Sequence, residues 1–355
     1  MTKPIRILYY LPGSDLTERE KLYRLNMYRG EMAYGVFHLK DHGTTIIELS
    51  PPRDWHSKLS RIWYAMYLLI NCHKYDIIYS PYFSGLEYVI KLRGLRLFPK
   101  KIMVWHHSPI VSDNHSLKAK YSQQLFFRGC DALFMFSEAI KAKSLQSEIN
   151  LRNKVFVLNW GPDMSFYDRI RLPYHSGGEI FMSGIDSRDF DTMYKVCQRL
   201  PQKHFMVIPP TEELEIKFRQ YKNVTTKRYP ASFESYYHLA LETAKASLVL
   251  ILTKPVEGRS LPSGLTSICE ATGLAKPCII TKNPYFSQEL IKAGFAAFVD
   301  IGDSEGICRQ IEILTSDEDT LTKMSACSLN YALQNDIKKM ARQLADIIKT
   351  IEHNE

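Results

Sequence analysis

Twelve short apolar runs, separated by helical patterns, constrain this chain more than any other feature. In the first half they are Ile5–Leu11, Thr44–Leu49, Asp76–Ser80, Ile102–His106, Ala132–Phe136 and Val155–Leu158. In the second half they are Glu179–Met182, His204–Ile208, Asn223–Lys227, Ser247–Leu252, Pro277–Thr281 and Ala297–Asp300. Most are nearly continuous rather than alternating apolar and polar. A strand reads this way when both of its faces are buried, as in a parallel sheet covered by helices. Strand followed by helix, repeated through both halves, is a succession of βα units given twice. The expected fold is α/β, with two Rossmann-like, doubly wound parallel-sheet domains facing a cleft.

The 355 residues suffice for two cores. The stretch Arg171-Leu-Pro-Tyr-His-Ser-Gly-Gly178 reads as the linker. It predicts an N-terminal domain over 1–170 and a C-terminal domain over 171–335. A final helix over 336–355 carries Ile337, Met340, Ala341, Leu344, Ile348 and Ile351 at helical spacing, and is expected to pack back across the junction. Ligands of such sheets bind beyond the carboxyl ends of the strands. The first βα turn, Leu11-Pro-Gly-Ser14, lacks Gly-x-Gly-x-x-Gly, which disfavours a dinucleotide oxidoreductase.

Seven scattered cysteines without a Cys-x-x-Cys argue against a disulfide framework or a structural zinc. The longest uncharged apolar run, Ile62–Asn71, falls far short of the roughly 20 residues that span a bilayer. The run after Lys3 and Arg6 stops at Pro12, too soon for a secretory signal. A cytoplasmic location is expected. The net charge of +8 is uneven: residues 1–170 hold 24 Lys/Arg against 15 Asp/Glu, and the remainder holds 22 against 23. A basic half suggests an anionic partner surface. Lys91–Lys101 mixes five basic residues with Leu and Phe, and Ile62–Ile70 is aromatic-rich beside Lys58 and Arg61. Both suit an anionic membrane surface, placing the protein peripherally at the inner face; helix packing explains the second nearly as well. No recognition motif supports nucleic acid binding.

The chemistry concentrates in residues 263–281, Ser-Gly-Leu-Thr-Ser-Ile-Cys-Glu-Ala-Thr-Gly-Leu-Ala-Lys-Pro-Cys-Ile-Ile-Thr. Gly264 lets backbone approach a ligand closely. The first helical amides, at Leu265, Thr266 and Ser267, lack intrahelical acceptors and with the helix dipole favour an anion. Glu270 follows Thr266 by four residues and projects from the same face, roughly 5–6 Å further along the axis. That spacing suits a nucleotide diphosphate, with amides on the phosphates and a carboxylate on the ribose. Ile268, Cys269, Ala271 and Leu274 form the apolar side, which leaves Glu270 near a loop expected to open onto the cleft.

With these residues in view, the chain resembles GT-B fold glycosyltransferases, and within them the retaining family 4. The segment above resembles that family's donor-binding loop, helix and Gly-Lys-Pro-Val-Ile-like strand. Ser183-Gly-Ile-Asp-Ser-Arg-Asp-Phe-Asp-Thr-Met-Tyr194 is similar to its glycine-led entry to the second domain. Val157-Leu-Asn-Trp-Gly-Pro-Asp-Met-Ser-Phe166 resembles its crossover. Asp131-Ala-Leu-Phe-Met-Phe-Ser-Glu-Ala139 resembles its Ala-Asp…Ser-Glu strand and helix.

The resemblance implies sugar transfer from a nucleoside diphosphate sugar to a saccharide or lipid-linked acceptor. It implies retained configuration and no obligatory metal or other cofactor, with the leaving phosphate taking the acceptor proton after front-side attack. Surface polysaccharide or glycan synthesis is the expected role. By this likeness Ser263 to Ser267 hold the diphosphate, Glu270 the ribose and Arg188 the departing phosphate. Gly13 and Gly184 approach the phosphates. His106, or its neighbour His107, faces sugar and acceptor at the end of a strand. Two departures stand out. Pro262 occupies the place of the family's first acid, and Ile185 that of the Arg after the glycine; Arg188, with Lys254 or Arg259, is expected to supply the missing charge. Asp189-Phe-Asp191 reads as a helix opening rather than a metal site. Two other readings stay open: a sugar-nucleotide epimerase on the same fold, and a non-catalytic partner subunit.

Overall fold

The computed structural model describes residues 3–12, 15–49, 57–112, 116–151, 153–185, 187–230, 232–255 and 261–353. The chain divides into two compact units. One comprises Met1–Tyr23, Gly30–Trp160 and Ile337–Glu355; the other comprises Arg24–Arg29 and Gly161–Asp336.

The first unit holds strands β1 (Ile5–Tyr9), β2 (Thr44–Ile47), β3 (Ile77–Ser80), β4 (Lys101–Trp105), β5 (Ala132–Met135) and β6 (Val155–Val157). They form one sheet in the order β2-β1-β3-β4-β5-β6. Every pairing is parallel. The second unit holds β7 (Ile180–Ser183), β8 (Phe205–Ile208), β9 (Val224–Thr226), β10 (Leu248–Ile251), β11 (Cys278–Thr281) and β12 (Ala296–Val299). Its sheet, also wholly parallel, runs β12-β11-β10-β7-β8-β9. All twelve expected runs are strands, within one or two residues of the limits read from the sequence.

The burial pattern explains why those runs were legible. In β10, Leu248 and Leu250 enter one core cluster with Ile180, Met182, Val196 and Ile311. Val249 and Ile251 enter another, on the opposite face, with Phe181, Ile268 and Ile280. Successive side chains point to opposite faces, and both faces are dry, so no position along the strand tolerates a polar residue. Short polar residues stop the chain between strands and start the helices. Ser137 accepts from the Ile140 amide at 3.3 Å and Asp189 from the Thr192 amide at 3.0 Å. Each satisfies a donor that the first helical turn leaves over.

The chain passes into the second unit at Gly161, ten residues before Arg171. Helix Met164–Tyr167 already packs there: the ring of Tyr167 fills the space beside Gly273, where a Cβ would come within 2.4 Å of it. The Pro/Gly stretch is thus a loop inside the second unit, leading into β7. The last helix, Ile337–His353, groups with the first unit and buries Ile337, Met340, Ala341, Leu344 and Ile348. Its C-terminal carbonyls, Ile351 O and Glu352 O, accept from Lys101 Nζ at 2.5 and 3.0 Å. A cation at that end is where the helix dipole favours one.

Candidate functional site

In the second sheet the strand order reverses between β7 and β10. A doubly wound sheet opens a crevice at such a point, beyond the carboxyl ends of its strands. The loop after β7 and the loop after β10 meet there. Arg188 and Thr253 form an isolated antiparallel bridge, and the Lys254 amide donates to Ser187 O at 2.9 Å.

Arg188 is the centre of this junction. It is buried, yet its guanidinium reaches two loops. Nε donates to Ser183 O at 2.9 Å, and Nη2 donates to Ser267 Oγ at 2.6 Å. Two glycines make room for it. Gly184 has φ +121°, and a Cβ there would stand 2.1 Å from Arg188 Nε. Gly264 has φ +99° and is the N-cap of helix Leu265–Gly273; a Cβ there would stand 2.9 Å from the Ile251 side chain and 3.7 Å from Arg188 Nη1. Both φ values disfavour any residue with a side chain. Sequence reading grouped Gly184, Arg188, Gly264 and Ser267, and the fold brings these four together. Leu265 and Thr266 are half-buried in the first turn of that helix, and Ser263, also half-buried, precedes its N-cap.

No side chain caps helix Leu265–Gly273. Its first intrahelical bond runs from the Ile268 amide to Gly264 O at 2.9 Å. The Leu265, Thr266 and Ser267 amides precede that bond, so they are not used by the helix itself. With the guanidinium beside Ser267, the turn presents oriented N–H dipoles and a positive charge together.

Glu270 differs from expectation. It does not face an open loop but is 4% exposed. Oε2 accepts from Arg29 Nη1 at 2.6 Å, and Oε1 accepts from Thr243 Oγ1 at 2.5 Å. The Arg29 side chain is as dry as its partner and stacks over the Tyr236 ring, 5.3 Å from the centroid. The correction has a physical cause. Helix Leu265–Gly273 packs beside helix Phe233–Lys245 and receives the segment Arg24–Arg29, so the face with Glu270 is covered. Arg29 and Thr243 were missed because nothing local marks them. They meet Glu270 from 241 and 27 residues away.

Lys254 stands half-exposed, 3.4 Å from Asp191, an ion pair too open to hold the loop firmly. Asp189 is the N-cap of helix Phe190–Arg199, its second oxygen accepting from Thr192 Oγ1 at 2.6 Å, and Asp191 lies exposed in the first turn. The Asp-x-Asp string opens a helix, as read. Arg259 and Gly13 lie outside the described residues.

In the first unit, His106 and His107 follow β4. Nδ1 of His106 lies 2.6 Å from Ser108 O, and its ring stacks on Phe83. His107 lies parallel to Tyr34 with centroids 5.9 Å apart, and edge-on to Tyr82 at 4.8 Å. Burial lowers both pKa values, that of His107 to about 4, so both rings are neutral near pH 7. Neutral imidazoles among aromatic rings suit hydrogen bonding to hydroxyls better than charge pairing.

The whole chain is similar in fold to known structures. It superposes on a glycosyltransferase from Rickettsia africae with TM-score 0.69 and 12% identity, covering all of both chains. Sucrose-phosphate synthase from Thermosynechococcus elongatus gives TM-score 0.69 and 12% identity, over 98% of this chain and 99% of that one. The Anabaena protein HepE, solved with UDP, gives 0.65 and 13%, over 98% and 100%. A UDP-N-acetylglucosamine 2-epimerase also matches, at 0.60 and 13%, over 98% of each. No protein-family model and no curated protein sequence matches. The chain therefore has the GT-B fold, two Rossmann-like domains in one polypeptide.

Proposed function

We propose that the protein is a glycosyltransferase that uses a nucleoside diphosphate sugar, with the donor diphosphate held in the second unit. The observation that carries this reading is the Arg188 guanidinium fastened to Ser267 at the uncapped start of helix Leu265–Gly273. Breaking a sugar–phosphate bond loads negative charge onto the leaving diphosphate. Preorganised amides and a buried guanidinium lower that barrier because they need no rearrangement as the charge develops. The amides of Leu265, Thr266 and Ser267 would take the phosphate oxygens, with Ser263 and Gly264 shaping the loop and Gly184 allowing close approach. Lys254 and Arg259 would add charge from the loop.

Retention follows if the leaving phosphate accepts the acceptor's proton, a route that needs no second carboxylate and no metal. It is compatible with Pro262 standing where an acid is usual. His106 and His107, both neutral, are assigned to hydroxyls of the sugar and acceptor. The acceptor is a saccharide or a lipid-linked saccharide, in surface polysaccharide or glycan synthesis. A ribose contact by Glu270 would use the lone pairs that Arg29 and Thr243 leave, since each carboxylate oxygen accepts more than one hydrogen bond.

The fold likeness to HepE, whose structures contain UDP and UDP-glucose, supports a uridine donor as the first to test. The likeness to an epimerase keeps that activity as the second reading. A panel of uridine, guanosine and other diphosphate sugars separates the readings. Release of the free diphosphate, faster with acceptor, supports transfer. Interconversion of two sugar nucleotides supports epimerisation. Folded protein that neither binds nor turns over any donor refutes both and leaves the partner subunit.

A further inference from the structure

We infer that the outer face of helix Lys58–Ile70, in the first unit, is a docking surface for an anionic lipid membrane. This helix is apolar on both sides. Tyr64, Ala65 and Leu68 are buried against the unit. Leu59, Ile62, Trp63, Met66 and Ile70 recur at intervals of three and four on the other side, and all are exposed: Leu59 78%, Trp63 59%, Met66 58% and Ile70 71%. A helix that is hydrophobic all round is ordinarily covered. This stripe exposes on the order of 600 Å² of apolar surface, at the top of what a monomer shows.

The patch continues onto the next helix. Glu87–Gly94 packs alongside, and both helices end at the same edge of the sheet because β3 and β4 are adjacent and parallel. Leu95 and Leu97, after the second helix, are exposed there, 48% and 62%. Cations lie in the same segments: Lys58 opens the first helix and Lys74 follows it, Arg96 stands between the exposed leucines, and Lys100 precedes β4. No acid occurs in residues 55–75 or 88–112. Two lie between: Asp76 is paired with Arg6 at 2.6 Å, and Glu87 is met by Arg61 at 3.4 Å.

This charge pattern selects the occupant. A two-fold contact between copies of the chain would set like cations against each other. A bilayer with acidic headgroups neutralises them while the apolar stripe enters the acyl boundary. Trp63, stacked on Tyr67, supplies an aromatic suited to that depth. The inference does not rest on the nucleotide-sugar reading, since a chain with this face would partition whether or not it transfers sugar.

The test is flotation of the full chain with vesicles of phosphatidylcholine alone or with added phosphatidylglycerol. The protein is expected to float with the acidic vesicles only, and to be released by about 0.5 M NaCl, where screening shortens the reach of each charge. Trp63→Ser/Met66→Ser, both on the solvent side, should keep the circular dichroism of the parent and lose at least about tenfold in partitioning. Lys58→Glu/Arg96→Glu should lose the preference for acidic lipid. Absence of flotation, or equal flotation of parent and Trp63→Ser/Met66→Ser, overturns the inference. So does a dimer by light scattering that this double variant abolishes.

Discussion

The ion pair between Arg29 and Glu270 offers the sharpest test of how this site is built. The two side chains are 3% and 5% exposed and 2.6 Å apart. Removing one partner leaves the other as an uncompensated charge in a dry place, which costs about 3–5 kcal/mol. Arg29→Met strands the carboxylate with only the Thr243 hydroxyl. Glu270→Gln sets the guanidinium against a neutral amide of the same shape. The double variant has no stranded charge, and buried pairs replaced by apolar groups are often nearly neutral. Each single variant should therefore lose about 3 kcal/mol in urea denaturation at 25 °C. The double variant should lose less than either, a coupling of at least about 2 kcal/mol. Single-variant losses that add within about 0.5 kcal/mol would refute the pair as drawn. The same variants decide the ribose role, provided binding is measured by calorimetry well below unfolding. If Glu270 also accepts from the ribose, the parent should bind uridine diphosphate at least about tenfold more tightly than its 2′,3′-dideoxy analogue, a difference of about 1.4 kcal/mol. Glu270→Gln should largely erase that preference. Equal preference in both proteins would confine Glu270 to holding Arg29.

Three other expectations follow from particular side chains. Lys276 is fully buried, its amine makes no hydrogen bond among the described residues and lies 5.7 Å from the Tyr174 ring centroid, and burial lowers its pKa from 10.5 to about 8. That difference is worth about 3 kcal/mol against folding while the amine is charged; unfolding takes up a proton between pH 8 and 10.5, so stability should rise with pH across that window, and a Lys276→Met variant lacking the rise, and more stable at pH 7, should be seen by denaturation across pH. Arg188→Ala should lower donor turnover by about 10²–10³ with little change in fold, and Arg188→Lys should not restore it, because an ammonium cannot span Ser183 O and Ser267 Oγ as a planar fork does; steady-state kinetics checks both. Gly273→Ala should cost about 1–3 kcal/mol by forcing the Tyr167 ring aside, read as a lowered urea midpoint.

The parallel strands were legible because burial on both faces erases the polar positions that make other strands ambiguous. The turn into helix Leu265–Gly273 was legible for a related reason. Gly264 and Gly184 sit at φ values that few other residues adopt, and Asp189 and Ser137 cap helices by contacts within three residues. Where the deciding contact was distant, local pattern misled. Pro173, Gly177 and Gly178 have the composition of a linker, yet the change of unit is at Gly161, fixed by Tyr167 lying against Gly273, over a hundred residues on. Glu270 was read as open because its own helix offers no cover. The cover comes from Arg29, a residue with no local sign of burial. Charge showed the same limit: the basic excess of the first half was plain, but its relation to the bare stripe from Leu59 to Ile70 needed the fold.

Ile185 stands where the resemblance leads one to expect arginine, and the loop nonetheless places a guanidinium at the junction. Ile185 is 64% exposed and points no charge anywhere. Arg188, at the other end of the same short loop, is folded back so far that its Nε occupies the space of the missing Gly184 side chain. The guanidinium thus lies over the glycine, anchored at Ser183 O, the residue just before it. Its remaining arm meets the first turn of helix Leu265–Gly273. A side chain reaching from Ile185 itself would start beside the glycine and need no such fold. One reaching from Arg188 must be pinned at both ends, because a guanidinium held by one hydrogen bond on a flexible stem would spend little time in one place. The two bonds at 2.9 and 2.6 Å supply that pinning, and the bridge between Arg188 and Thr253 fixes the backbone beneath it. Positive charge at this junction is consequently a property of the folded loop rather than of one position in it.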